Sequence, residues 1–163
     1  MFSLQNKKAV VTGGGSGIGR AIAILFAKQG AEVHVLELTE SGVEDVLDEI
    51  KDSGGKAFSH VCNVEHQQEV LATFKKIGPL HILVNNAGIA HIGKADTTDE
   101  ADFDRVMAVN VKGVYNCLHA AIPQLRHAGG GVIVNMASIA ALVGLPDRFA
   151  YSTAKGAVMA MTL

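Results

Sequence analysis

Tyr151 and Lys155 stand four residues apart in the run YSTAK, so on a helix they share one face. A free phenol titrates near about 10, too high to act as a good base near neutrality. An ammonium one helical turn away favours the phenolate and lowers that value. The pair can then take a proton from an oxygen atom or return one to it. Alone, however, a Tyr/Lys pair at this spacing reads as ordinary packing on a helix surface. Its meaning depends on what else the chain places beside it.

A second stretch with chemical content is TGGGSGIG, residues 12–19. Gly13, Gly17 and Gly19 form the pattern T-G-x-x-x-G-x-G, directly after a β-branched run and directly before a helical one. Glycines there allow a tight turn and let backbone N–H groups approach a pyrophosphate, with the positive end of the helix dipole behind them. Ser16 and Ile18 complete the candidate contact set of the loop. The spacing is neither G-x-G-x-x-G nor a P-loop, since Arg20 and Ala21 occupy the places a P-loop gives to Lys and Ser/Thr. Glu37 ends the second apolar run, 18 residues after Gly19. A carboxylate there accepts hydrogen bonds from an adenosine ribose and repels a 2′-phosphate. No Arg or Lys lies at 14–16 or 36–40. NAD is therefore the expected cofactor, in preference to NADP.

These residues need a scaffold. Runs at 9–12, 32–37, 56–61, 80–85 and 131–136 read as strands, several apolar at consecutive positions, as parallel strands covered on both faces are. Between them, 17–29, 41–53, 65–77 and 99–127 carry helical periodicity, and a last helix begins near Tyr151. Ser41 with Glu44, and Thr97 with Glu100, have capping-box spacing; Pro123 is expected to kink or bound the long fourth helix. Alternating strands and helices imply an α/β fold: a doubly wound parallel sheet of Rossmann type in three α/β/α layers. Ligands of such sheets bind at the carboxyl ends of the strands, where Glu37 and the glycine loop stand.

With 163 residues, 48% of them hydrophobic, the chain can build one globular core. The net charge of −2 and the lack of any charged block suggest neither a nucleic-acid nor a polyanion partner. Cys62 and Cys117 lie far apart and read as reduced, buried thiols. No signal-peptide pattern or spanning apolar run occurs, so a soluble, cytoplasmic protein is expected. The seven His residues form no H-E-x-x-H motif and no Cys/His cluster, so no catalytic metal is expected. His91 reads as an exposed loop residue that borders the site at most.

Five motifs in order carry a family resemblance: TGGGSGIG at 12–19, NNAG at 85–88, Asn110 in VNVKG, Ser138 in NMAS, and YSTAK at 151–155. Together they span almost the whole chain, and it resembles the short-chain dehydrogenase/reductases. Ser138 precedes Tyr151 by 13 residues, which matches that family's spacing. The resemblance implies a single Rossmann-type dinucleotide-binding and catalytic domain over 1–163. It implies a hydride transfer between NAD(H) and a secondary alcohol or ketone. Tyr151 would be the general acid/base, and Lys155 would tune it and hold the cofactor ribose. Ser138 would hydrogen-bond the substrate oxygen, and Asn110 would hold a water that extends a proton relay from Lys155. Asn86, Ala87 and Gly88 would lie beside the ribose. Many relatives place Asp after the third strand to accept from the adenine amino group; Asn63 stands there, followed by Val64, and its carbonyl can still accept.

The string PDRFAY resembles relatives that oxidise hydroxy acids or sugar acids, and Arg148 is the expected anchor for a substrate carboxylate. An acyl-carrier-protein-linked 3-oxoacyl reductase using NADPH shares the motifs and is the alternative enzyme; a truncated, non-catalytic nucleotide-binding or interaction module is the alternative of another class. Family members continue past YxxxK with two more strands and a mobile substrate lid. The chain is therefore expected to lack those parts and to be incomplete at its C-terminus. A homodimer or homotetramer is expected on the same resemblance.

Overall fold

The computed structural model describes residues 2–163. The elements are β1 (Lys8–Thr12), α1 (Gly17–Lys28), β2 (Glu32–Glu37), α2 (Glu44–Asp52), β3 (Lys56–Val61), α3 (Gln67–Ile77), β4 (Ile82–Asn85), α4 (Glu100–Met107), α5 (Gly113–His127), β5 (Val132–Asn135) and α6 (Phe149–Ala160). A π-helical turn at Ala108–Lys112 joins α4 to α5, and a 3₁₀ turn at Ile139–Ala141 follows β5. All strands are parallel, in the order β3-β2-β1-β4-β5. The order reverses between β1 and β4, which makes the crevice at their carboxyl ends the ligand position.

Both faces of the central strands β1, β2 and β4 are covered, which explains their consecutive apolar positions, whereas the edge strands leave Phe58, Val61, Val132 and Val134 exposed. Val10, Leu36 and Leu83 face α3 and α5, meeting Val70, Phe74, Cys117 and Leu125. Val11, Val33, Val35 and Val84 face α1 and α2, meeting Ala23, Ala27, Val46 and Ile50. The α/β/α layering is thus a direct consequence of alternation along three central strands that have no wet face.

Several expected boundaries shift. β4 starts at Ile82, although the His81 backbone already bonds Lys8 O and Val132 N and its ring accepts from Lys8 N. Neither capping box forms. Helix α2 starts at Glu44 behind Val43 with no side-chain cap, while Ser41 pairs with Thr39. Helix α4 is capped by Asp99, whose carboxylate accepts from Asp102 N at 2.8 Å; Thr97 turns back to accept from Lys94 N. Asp99 is simply the residue placed three before a free N–H, and a carboxylate is the better acceptor at a helix N-terminus. Pro123 does not end a helix: α5 runs through it to His127.

The β2–β3 edge carries a buried polar ladder. His34 Nε2 lies 3.0 Å from Glu32 Oε1, and His34 Nδ1 lies 2.8 Å from His60 Nε2. With the Nε2 proton directed at the carboxylate, neutral His34 accepts at Nδ1 from His60. Burial pulls both imidazoles below the ordinary value, that of His60 to about 4. Glu32 is held down to about 2, chiefly by the Lys56 hydrogen bond. A histidine with a depressed folded value stabilises the fold above the unfolded value and loses that contribution as pH falls. Thermal stability is thus expected to drop between about pH 6.5 and 4, before Glu32 begins to titrate. His60→Gln should flatten that part of the profile; melting curves across the window check it.

Candidate active site

The glycine loop and the NNAG strand end are built as one unit. Thr12 Oγ1 accepts from Asn86 N at 3.1 Å and from Ala87 N at 3.0 Å. Asn86 Nδ2 donates to Thr12 O and Gly13 O, at 3.1 and 2.9 Å. Gly13 (φ +63°) and Gly17 (φ +53°) adopt the left-handed conformation that the tight turn requires. Gly19 is needed for a different reason. A Cβ there would stand 2.2 Å from Gly13 O and 2.4 Å from Asn86 Nδ2. It therefore lies beneath the loop and not on its wall, contrary to the sequence expectation.

Above this unit opens a cleft of about 420 Å³, lined by Gly13, Ser16, Gly17 and Ile18 from the loop, Leu36 to Leu38 from the end of β2, and Asn86 to Ile89 from the end of β4. Asn63 and Val64 close its far side. Of the expected dinucleotide residues, all but Gly19, Tyr151 and Lys155 are thereby brought together. Glu37 reaches into the cleft with Oε1 accepting from Gly15 N at 3.0 Å. Asn63 is partly committed: its carbonyl accepts from Glu65 N at 3.0 Å and its amide donates to Glu65.

A second cleft, about 240 Å³, is lined by Met136, Ala137, Tyr151 and Lys155, and shares Ile18, Asn86, Gly88 and Ile89 with the first. Lys155 is 6% exposed, and its ammonium donates to Met136 O. Its Nζ lies 5.8 Å from the centre of the Tyr151 ring. Burial pulls the Lys155 ammonium below the ordinary lysine value, while the carbonyl and the ring face favour its charged form.

Asn110 stands between α4 and α5 and holds the end of β4. It is fully buried in the π-helical turn, and its side chain bonds one partner twice: Oδ1 accepts from Ile89 N and Nδ2 donates to Ile89 O, both at 2.8 Å. One Nδ2 proton and one Oδ1 lone pair lie outside these two bonds. Asn110 also locks the strand end beside Lys155; a Cβ on Gly88 would meet Asn110 Oδ1 at 3.1 Å and Lys155 Nζ at 3.7 Å. The π turn supplies the extra residue that swings Asn110 inward. Ser138 caps the 3₁₀ turn, its Oγ accepting from Ala140 N at 3.2 Å, so its proton remains available to donate. It follows Ala137, which lines the Tyr151 cleft, without lining it itself. Arg148 lines neither cleft; its Nη1 donates to Asp147 O. Nor is His91 an exposed loop residue, its side chain being only 15% exposed.

Three positioning residues had no signal of their own in the sequence. Thr12 reads as the last residue of a strand. Met136 contributes only a carbonyl. Asn116, inside α5, is buried and donates to Val64 O at 2.8 Å, holding the loop that carries Asn63 and Val64. A buried Asn in an otherwise apolar helix face was the one available clue.

Residues 7–163 match the profile of the family described as short chain dehydrogenase. An uncharacterized oxidoreductase of Thermotoga maritima is 42% identical over 99% of this chain and 65% of its own length. A cyclohexanol dehydrogenase of Acinetobacter is 38% identical over 97% of this chain and 65% of its own. Among solved structures, an NAD⁺-bound xylitol dehydrogenase superposes with a TM-score of 0.95 at 32% identity, over 99% of this chain and 64% of that one. A metagenomic short-chain oxidoreductase in complex with NADP superposes with a TM-score of 0.93 at 34% identity, over 98% of this chain and 74% of that one. The chain thus spans about 65% of the length of the two curated relatives. Fold, glycine loop and matched profile agree: this chain belongs to the short-chain dehydrogenase family.

Proposed function

We propose that the protein is an NAD-dependent oxidoreductase acting between a secondary alcohol and its ketone, with residues 1–163 supplying both the dinucleotide cleft and the proton-transfer groups. The observation that carries this reading is the shared wall: the glycine-loop cleft runs into the Tyr151–Lys155 cleft through Ile18, Asn86, Gly88 and Ile89. The loop fits a dinucleotide. Gly17 has a positive φ and open space where a Cβ would point, so the loop backbone faces the cleft unobstructed.

When bound, the nicotinamide supplies the hydride acceptor or donor. The chain's own residues handle the proton. Tyr151 takes the hydroxyl proton at its phenol oxygen during oxidation and returns it to the ketone oxygen during reduction. Lys155, fixed by Met136 O, keeps a positive charge beside the ring and reaches the ribose side of the cleft. Ser138 donates its hydroxyl proton to the substrate oxygen. Asn110 holds Ile89, and with it the floor between the two clefts. A homodimer or homotetramer built on the exposed α5 surface around Tyr115 and Ile122 belongs to the same proposal.

Glu37 supports NAD. Each of its oxygens has a lone pair beyond those engaged with Gly15 N and Leu38 N, and its charge opposes a 2′-phosphate. NADH is expected to bind at least about tenfold more tightly than NADPH, a difference of about 1.4 kcal/mol. Glu37→Gln should narrow the gap. Fluorescence titration with both nucleotides, followed by turnover on a panel of secondary alcohols, tests the reading; tighter NADPH binding would defeat the cofactor assignment.

Arg148 finds no support as a carboxylate anchor. A hydroxy-acid or sugar-acid substrate would need its guanidinium to leave Asp147 O and enter the cleft. The expected result for Arg148→Met is a KM changed by less than about twofold for acid and neutral alcohols alike, since a bidentate charged contact is worth far more than that. A large rise confined to acids would restore the anchor.

A further inference from the structure

The loop between β4 and α4 touches the start of the proposed catalytic helix at one point. Gly93 N donates to Asp147 O at 3.0 Å, and Phe149 N donates to Gly93 O at 3.1 Å. This short parallel bridge grips the chain two residues before Tyr151. Apolar anchorage of the first turns of α6 is a small cluster centred on Val106, Ala150 and Ala154, with the Phe103 and Phe149 rings 6.0 Å apart at its edge; Val158 is buried further along the helix. The bridge is therefore a substantial part of what fixes the helix start.

His91 stands behind the bridge. A Cβ on Gly93 would lie 2.7 Å from His91 Nε2 and 2.6 Å from Thr98 Oγ1, so the imidazole occupies the space a side chain would need. On its other side, His91 Nδ1 lies 3.6 Å from Asp102 Oδ2, on α4. Asp102 is also held by Arg105, at 2.9 Å. His91 Nε2 and Thr98 Oγ1 are both sealed from solvent without a hydrogen-bond partner. An apolar ring of similar size would fill the space and remove the unpaired ring nitrogen, leaving Thr98 Oγ1 as it is. What the imidazole adds beyond shape is the approach of Nδ1 to the Asp102 carboxylate, beyond hydrogen-bond reach but an ion pair when the ring is protonated, which ties the loop to α4 while Gly93 ties it to α6. Ala90, the neighbouring residue, lines the Tyr151 cleft.

We propose that His91 is a positioning residue: held by Asp102, it backs Gly93 and so fixes the start of the helix that carries Tyr151. The proposal rests on the proton-transfer reading given above. A small displacement of an acid/base group costs turnover more than binding. His91→Phe keeps the ring and removes the Asp102 contact. It should lower kcat roughly tenfold on a secondary alcohol such as cyclohexanol, with KM and the NADH dissociation constant nearly unchanged. The Phe149 amide should exchange with solvent faster by a similar factor. His91→Asn, which still presents a donor towards Asp102, should recover part of both losses. Asp102→Asn attacks the same contact from α4, without altering the loop, and should shift both readouts in the same direction if His91→Phe does not fold. Wild-type Phe149 exchange in both His91→Phe and Asp102→Asn overturns the proposal, as does a loss seen wholly in KM. A wild-type protein that turns over no secondary alcohol defeats the activity instead, and the amide exchange still decides whether His91 holds the helix.

Discussion

Tyr151→Phe is expected to abolish most turnover while leaving the dinucleotide in place. The substitution removes one oxygen and keeps the ring that faces Lys155 Nζ at 5.8 Å, so the packing of α6 hardly changes. General acid–base groups contribute about 10²–10⁴ in rate, and kcat should fall within that range. The NADH dissociation constant should stay within about twofold, because the glycine loop, Glu37 and the strand ends are untouched. Stopped-flow turnover and fluorescence titration on the same preparation measure both. A variant with more than about a tenth of wild-type kcat would remove Tyr151 from the proton-transfer role. Loss of NADH binding together with turnover would show instead that the phenol holds the cofactor.

Gly19→Ala should damage binding and stability together. The added methyl would stand 2.2 Å from Gly13 O and 2.4 Å from Asn86 Nδ2. Neither can yield cheaply. Gly13 O belongs to a loop held by Asn86 Nδ2, and Asn86 in turn is anchored on Thr12. Forcing atoms into a packed site costs about 1–3 kcal/mol, which for a chain of this size lowers Tm by about 2–4 °C per kcal/mol. Relief by moving the loop would break the Asn86 bonds and displace the N–H groups proposed to face the pyrophosphate, so NADH affinity should fall at least about tenfold. Calorimetric melting with and without NADH gives both effects. A variant that melts and binds as the wild type would mean that the loop has slack the close contacts deny.

The spacing of TGGGSGIG, Glu37 and YSTAK was legible before any fold was known, because each rests on local rules, while NNAG gained its meaning from the family resemblance. Glycine permits positive φ, i and i+4 share a helix face, and strand ends carry ligands. The parallel, doubly covered sheet followed almost as directly from strands alternating with helices and from consecutive apolar positions in several of the runs, whereas the strand order is read from the structure. Helix starts were less legible. Ser41 and Thr97 have the right spacing to cap, but Val43 and Asp99 hold the positions, because the path of the preceding loop decides which side chain meets the free N–H.

Residue roles divided along the same line. That Tyr151 and Lys155 share one helix face followed from their separation, and their proposed role as a pair from the set of five motifs. That Asn110 is a lock on Ile89, that Gly19 lies under the loop, and that Arg148 stays outside the clefts were decided only in three dimensions. So was the burial of His91 against Gly93. A sequence records which donors and acceptors a chain owns and how far apart they are along it. Which partner each one meets depends on contacts between residues distant in the chain: 21 positions for Asn110 and Ile89, and 74 for Asn86 and Thr12. No local periodicity encodes such a meeting. The chemistry this chain could attempt was therefore written in its motifs, and the division between reacting groups and the groups that hold them was made by packing.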